Sequence, residues 1–120
     1  MKRVLVADDK ATSRELIRTV LEKVGYSVHE AGDGVEAVQM ALQTKPDLII
    51  LDLQMPTLDG FGALEVIRND DRFKNVPIIA LTANAMQGDR EKALAAGFTS
   101  YISKPVTLSF LRAELARLLP

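Results

Sequence analysis

Short, continuous apolar runs alternate along this chain with longer stretches in which apolar residues recur at helical spacing. Runs at residues 4–7, 48–51 and 78–81 are rich in Val, Ile and Leu. Such runs of four or five predict strands buried on both faces. Residues 26–31 and 99–103 are weaker strand candidates. The first of these carries Ser27, His29 and Glu30, polar enough for a sheet edge. Between the runs, Leu16, Ile17, Val20, Leu21 and Val24 repeat with the period of a helix. So do Val35, Val38 and Leu42, then Phe61, Leu64 and Ile67, and finally Leu108, Leu111, Leu115 and Leu118. Residues 87–96 favour a helix but carry few large apolar side chains. Gly25 and Gly97 stand where C-terminal caps are expected, Asp59 where an N-cap is, and Pro46 and Pro77 just ahead of strands.

The predicted order is strand then helix, five times over. Strict alternation implies a parallel sheet covered on both faces, with right-handed crossovers. For five strands the common arrangement is the flavodoxin-like α/β fold, a doubly wound (βα)5 sheet in the order 2-1-3-4-5. Ligands then bind at the carboxyl ends, beside the switch point between strands 1 and 3.

Composition narrows the classes. The 120 residues suit one domain, 1–120, and 48% are hydrophobic and 26% charged, an ordinary globular balance. Fifteen basic residues meet sixteen acidic ones, so nothing draws the chain in bulk to nucleic acid or anionic lipid. The absence of cysteine excludes disulfides, thiolate metal sites and cysteine catalysis. No run is long enough to span a membrane and the N-terminus does not read as a signal peptide, so a cytoplasmic location is expected.

The topology places candidate chemistry at the strand ends. Asp8 and Asp9 follow the first strand, Asp52 the third, Thr82 the fourth, and Lys104 with Pro105 the fifth. Any one of these alone would read as a helix cap, a turn residue or a solvated lysine. Together they form a constellation on one face. Three carboxylates in one crevice repel and call for positive charge. Lys104 supplies one such charge, and oxygen-only ligands suit Mg²⁺. An aspartate can accept a phosphoryl group, whose transfer needs mainly positioning and charge neutralisation. His29 lies on the expected edge strand, away from this face.

The stretches VLVADD, DLIILDLQMPTLDG, PIIALTA and YISKP resemble the receiver domains of two-component response regulators, the CheY-like family, over essentially the whole length. The resemblance implies that Asp52 is the phospho-acceptor, and that Asp8 and Asp9 hold Mg²⁺ together with Asp52 and the backbone carbonyl of Gln54. It implies that Thr82 and Lys104 bind phosphoryl oxygens, and that the Lys104–Pro105 bond is cis. Thr82 and Tyr101 would be switch residues, and strands 4 and 5 with their helices the output face. Gln54 and Asn84 are expected to tune the lifetime of the phosphoryl group. The donor would be a sensor histidine kinase or histidine phosphotransfer protein and the output partner a protein. Neither nucleic acid nor membrane would be bound directly, and the protein would be a monomer or a dimer promoted by phosphorylation.

On this reading the protein is not an enzyme, beyond assisting its own phosphorylation and dephosphorylation. A haloacid-dehalogenase-like phosphatase would want an acid where Gln54 stands. A flavodoxin-type cofactor module would want a Ser/Thr/Gly loop where Asp8, Asp9 and Lys10 stand. The chain ends directly after the fifth helical pattern, which reads as a single-domain receiver. The stretches ALTANAM and GFTSYISKP are also similar to receivers of DivK-type proteins and of hybrid kinases, so a receiver excised from a longer protein is the alternative.

Overall fold

A computed structural model describes residues 2–83 and 88–119. Five strands, β1 (Arg3–Ala7), β2 (Ser27–Ala31), β3 (Leu48–Asp52), β4 (Ile78–Thr82) and β5 (Ser100–Ser103), form one sheet. All neighbouring pairs are parallel, in the order β2-β1-β3-β4-β5, as the alternation predicts. The helices are α1 (Ala11–Val24), α2 (Gly34–Thr44), α3 (Gly60–Arg68), α4 (Asp89–Ala96) and α5 (Leu108–Leu118). No helix among the described residues is long and apolar enough to cross a membrane.

The strands alternate their side chains between two cores. Val4, Val6, Leu48, Ile50, Ile79 and Leu81 pack with Ile17 and Leu21 of α1 and Leu111 and Leu115 of α5. Leu5, Ala7, Ile49, Leu51, Ile78 and Ala80 pack on the other side with residues of α2, α3 and α4. Both faces of β1, β3 and β4 are thus filled, and polar groups are left only at the strand ends.

In α1, α2 and α5 the buried face does not take in every member of the apolar repeat. In α2 the buried positions are Gly34, Ala37 and Ala41, whereas Val35 and Leu42 are exposed. Small residues let α2 lie close to the sheet, and the larger ones ride on its flanks. Leu16, Val24 and Leu108, which fit the helical repeat, are likewise exposed at the α1 and α5 surfaces. Helix α4 buries only Ala93, in keeping with its apolar poverty, and begins at Asp89. A short 3-10 turn at Asp71–Phe73 was not foreseen, because charged neighbours mask Phe73, which is fully buried. Gly25 and Gly97 cap α1 and α4 with φ of 103° and 118°, a left-handed conformation that side chains resist. Asp59 caps α3 by accepting from the Gly62 N–H.

Two close approaches hold the loop after β3. A Cβ on Gly60 would stand 2.4 Å from the Asp52 carbonyl oxygen, and one on Gly34 1.8 Å from the Leu58 carbonyl oxygen. The start of α3 therefore rests directly on the end of β3. At the opposite end of the sheet, Arg68 ties three segments together. Its Nη1 donates to the carbonyls of Phe73 and Val76 at 2.6 and 2.7 Å, and its Nη2 donates to the Gly97 carbonyl and Thr99 Oγ1 at 3.1 and 3.3 Å. These bonds fasten the C-terminal end of α4 to α3.

Two substitutions test these constraints. Gly60→Ala is expected to lower unfolding stability by about 2 kcal/mol or more, because the obstructing atoms, of Asp52 and Leu53, are all backbone and cannot retreat. Arg68→Met is expected to cost about 2 kcal/mol by orphaning several carbonyls. Urea unfolding midpoints measure both; a change below about 0.5 kcal/mol in either would contradict the corresponding contact.

Candidate functional site

Asp52 is the last residue of β3 and lies beside Leu81 in register. Ala7 lies beside Leu51, so Asp8, one residue on, stands next to Asp52. Thr82 ends β4 opposite Ser103, and the following Lys104 donates its backbone N–H to the Thr82 carbonyl at 2.7 Å. The parallel register thus brings the ends of β1, β3, β4 and β5 together, as the sequence predicts. The Lys104–Pro105 peptide is cis.

Asp8 is fully buried and Asp52 nearly so, while Asp9 is exposed. Lys104 Nζ donates to Asp52 Oδ2 at 2.9 Å and lies 2.8 Å from Asp8 Oδ2. The opposite oxygens face backbone donors: Asp8 Oδ1 accepts from the Lys10 N–H at 3.0 Å, and Asp52 Oδ1 from the Gln54 N–H at 2.9 Å. The Gln54 side chain is itself exposed. Helix α1 has Lys10 at its N-cap without a side-chain cap, so Asp9 is not spent as a capping residue. Thr82 is buried at the rim. Tyr101, on β5, is half-buried against the core beside α2, α3 and α4. Burial pushes its phenol up, the Asp89 charge adds to this, and a hydrogen bond with Thr82 opposes both. Asn84, the second predicted rate-tuning position, lies outside the described residues.

The charges are unbalanced. Carboxylate oxygens of Asp8, Asp9 and Asp52 all lie within 4.8 Å of one another, against one ammonium. Burial raises both inner acids. At Asp8, Lys104 and the Lys10 N–H outweigh burial and hold the carboxyl below its ordinary value. At Asp52, burial together with the Asp8 charge outweighs the Gln54 N–H and Lys104, and its carboxyl stands above its ordinary value. Lys104 is opposed by its own burial, yet the two carboxylates hold it above the usual lysine range.

These residues fit a hard divalent cation. The donors are all oxygen, two of the three are buried, and the negative charge exceeds what Lys104 neutralises. Asp8 Oδ2, although close to Lys104, accepts no well-aligned hydrogen bond. Such an underused buried oxygen is what a metal ligand leaves behind.

Sequence reasoning missed one neighbour of the site. Arg14, in the first turn of α1, donates through Nη1 to the Asp8 carbonyl at 2.7 Å and through Nε to Glu30 at 3.1 Å. The available signal was Glu30 itself, a charged residue inside a strand.

The raised Asp52 carboxyl makes a signed prediction. A group raised on folding adds stability below its unfolded value, near 3.8 for an aspartate, and loses it as pH rises through the folded value. At neutral pH the ionised Asp52 is therefore a liability. Asp52→Asn is expected to be at least as stable as the unchanged protein at pH 7, with the difference shrinking under acid. Thermal unfolding at several pH values measures this, and a destabilised variant at pH 7 would contradict it.

Comparison with known proteins identifies the family. Residues 4–116 match the response regulator receiver domain family. The polar-differentiation response regulator DivK of Brucella anthropi is 36% identical over 107 residues, which are 89% of this chain and 87% of DivK. The receiver domain of the sensor histidine kinase PA1611 from Pseudomonas aeruginosa PAO1, crystallised with a magnesium ion in its active-site cleft, superposes with a TM-score of 0.90 at 39% identity. That match covers 98% of this chain and 96% of the other. The chemotaxis protein CheY4 of Vibrio cholerae gives a TM-score of 0.92 at 33% identity over 99% of both chains. With the family matched over nearly its whole length and the strand order in agreement, this chain belongs to the response regulator receiver domains of two-component signalling.

Proposed function

We propose that Asp52 of this chain accepts a phosphoryl group from a phosphohistidine of a sensor kinase or histidine phosphotransfer protein. One observation carries the reading. Asp52 sits at a strand end between an acidic pair and a lysine, with one oxygen on Lys104 and the other on a backbone N–H. In the transfer, a carboxylate oxygen of Asp52 bonds to phosphorus as the donor nitrogen–phosphorus bond breaks and the imidazole leaves. Lys104 neutralises part of the incoming charge, and the Thr82 hydroxyl takes a further phosphoryl oxygen.

Mg²⁺ would be held by Asp8, Asp9, Asp52 and the Gln54 carbonyl. When bound it supplies positive charge at the phosphoryl oxygens. The protein is an acceptor rather than an enzyme acting on outside substrates. Two residues beyond Asp52 stands Gln54, whose amide cannot serve as a general acid. Gln54 and Asn84 instead tune how water reaches the acyl phosphate.

The switch follows from the same site. Thr82 stands close enough to Tyr101 to act on its phenol, so a phosphoryl group that draws on the Thr82 hydroxyl also acts on Tyr101. Tyr101 shares a groove with Arg90 and Leu94 of α4 and Phe110 of α5. Leu94 and Phe110 are exposed apolar side chains suited to a protein partner. Binding the phosphorylated arrangement better is enough to shift its population.

The test is intact-protein mass after incubation with acetyl phosphate, with Mg²⁺ or with EDTA. A single phosphoryl adduct is expected with Mg²⁺, and none with EDTA or in Asp52→Asn. An adduct retained by Asp52→Asn would move the acceptor elsewhere.

A further inference from the structure

Among the acidic groups of the site, Asp9 is the one whose orientation its own side-chain contacts do not explain. It is exposed, and among the described residues no hydrogen bond or ion pair engages its carboxylate. Its direction is therefore set by the backbone that carries it. The peptide leading into Asp9 begins at the Asp8 carbonyl, which accepts from Arg14 Nη1 at 2.7 Å. The Asp8 N–H is fixed as well, donating to the Ala31 carbonyl at 3.1 Å.

Arg14 is in turn held. Its Nε donates to Glu30 Oε1 at 3.1 Å, and the other Glu30 oxygen accepts from Arg18 Nη1 at 2.6 Å. The side chains of Arg14 and Glu30 are 21% and 23% exposed, so the pair is only partly screened by water. Glu30 lies on β2 beside Val6, two residues ahead of Asp8 on the neighbouring strand. Arg18 joins α1 to the same carboxylate without reaching Asp8, and also pairs with Glu22. The two arginines share an anchor, but Arg14 alone of the two touches the acidic loop.

We infer that Arg14 is a positioning residue of the cation site. Its guanidinium, aimed by Glu30, fixes the plane of the Asp8–Asp9 peptide and so presents the Asp9 carboxylate to the metal. The inference rests on the reading of the acidic cluster as a Mg²⁺ site. It carries an unusual sign. Arg14 is itself a cation near a cation site, so by charge alone its removal strengthens Mg²⁺ binding. If it positions Asp9, its removal weakens binding instead. Changes behind metal ligands typically cost tenfold or more in affinity.

The experiment is a Mg²⁺ titration of the full chain followed by NMR, with Arg14→Gln, Arg18→Gln and Asp9→Asn alongside. Arg14→Gln is expected to weaken Mg²⁺ binding by about tenfold, and Arg18→Gln by no more than about twofold. Equal or tighter binding by Arg14→Gln overturns the inference, as does an equal loss in Arg18→Gln, which would mark general loosening of α1 on β2. If the unchanged protein does not bind Mg²⁺, or Asp9→Asn binds it as well, the cation site itself falls and the inference with it. Should Arg14→Gln lose its dispersed spectrum, Glu30→Gln takes its place, since it frees Arg14 without deleting it. Several-fold weaker binding then supports the positioning role, and unchanged affinity overturns it.

Discussion

One ammonium between two buried carboxylates organises this molecule's working end. Lys104 Nζ stands 2.8 Å from Asp8 and 2.9 Å from Asp52. A pair of unit charges at about 4 Å is worth roughly 4 kcal/mol at the effective dielectric of a protein surface. The two carboxylates repel each other on a comparable scale. Without the lysine, both could not stay ionised side by side in a buried cleft. With it, the arrangement holds but remains short of positive charge, which leaves it receptive to a cation. The imbalance that costs stability at neutral pH is the same one that makes the site receptive.

The rest of the fold serves to hold these groups in place. Filling both faces of β1, β3 and β4 with aliphatic side chains leaves the strands little freedom to slip. Register then decides which residues meet, and a one-residue shift would separate Asp8 from Asp52. The close seat of Gly60 on the Asp52 carbonyl braces Asp52 from behind. At the far edge, Arg68 pins the C-terminal end of α4 to α3, while the segment between Thr82 and α4 connects the site to that helix.

Most of this was legible in the sequence because burial on both faces writes strands as plain apolar runs. The strand order and the meeting of Asp8, Asp52, Thr82 and Lys104 followed from alternation together with the common order of a five-stranded doubly wound sheet. The phase of the helical stripes was harder to read. In α2 the core-facing side is Gly34, Ala37 and Ala41, and small residues leave a weaker apolar signal than Val35 or Leu42 beside them. Leu16 and Leu108 fit the helical period yet face outward. Periodicity says that a stripe exists and does not say how far around the helix it extends. Contacts such as Arg14 to the Asp8 carbonyl were out of reach, since they join a side chain to a backbone atom and leave no pattern in composition.

The charge imbalance also explains why the lysine, and not a second arginine, stands at the centre. The site needs a compact cation that can touch two carboxylate oxygens at once and still turn toward a third group. An ammonium on a flexible stem does this, whereas a planar guanidinium locks onto one carboxylate in a fixed fork. Arginines appear instead at the periphery, at Arg14 and Arg68, where the task is to hold backbone carbonyls in fixed positions. In the proposed reaction the central cation must trade a carboxylate oxygen for a phosphoryl oxygen. The peripheral ones keep to backbone carbonyls that stay where the fold puts them. The division of labour between Lys104 and the two arginines follows from those opposite requirements.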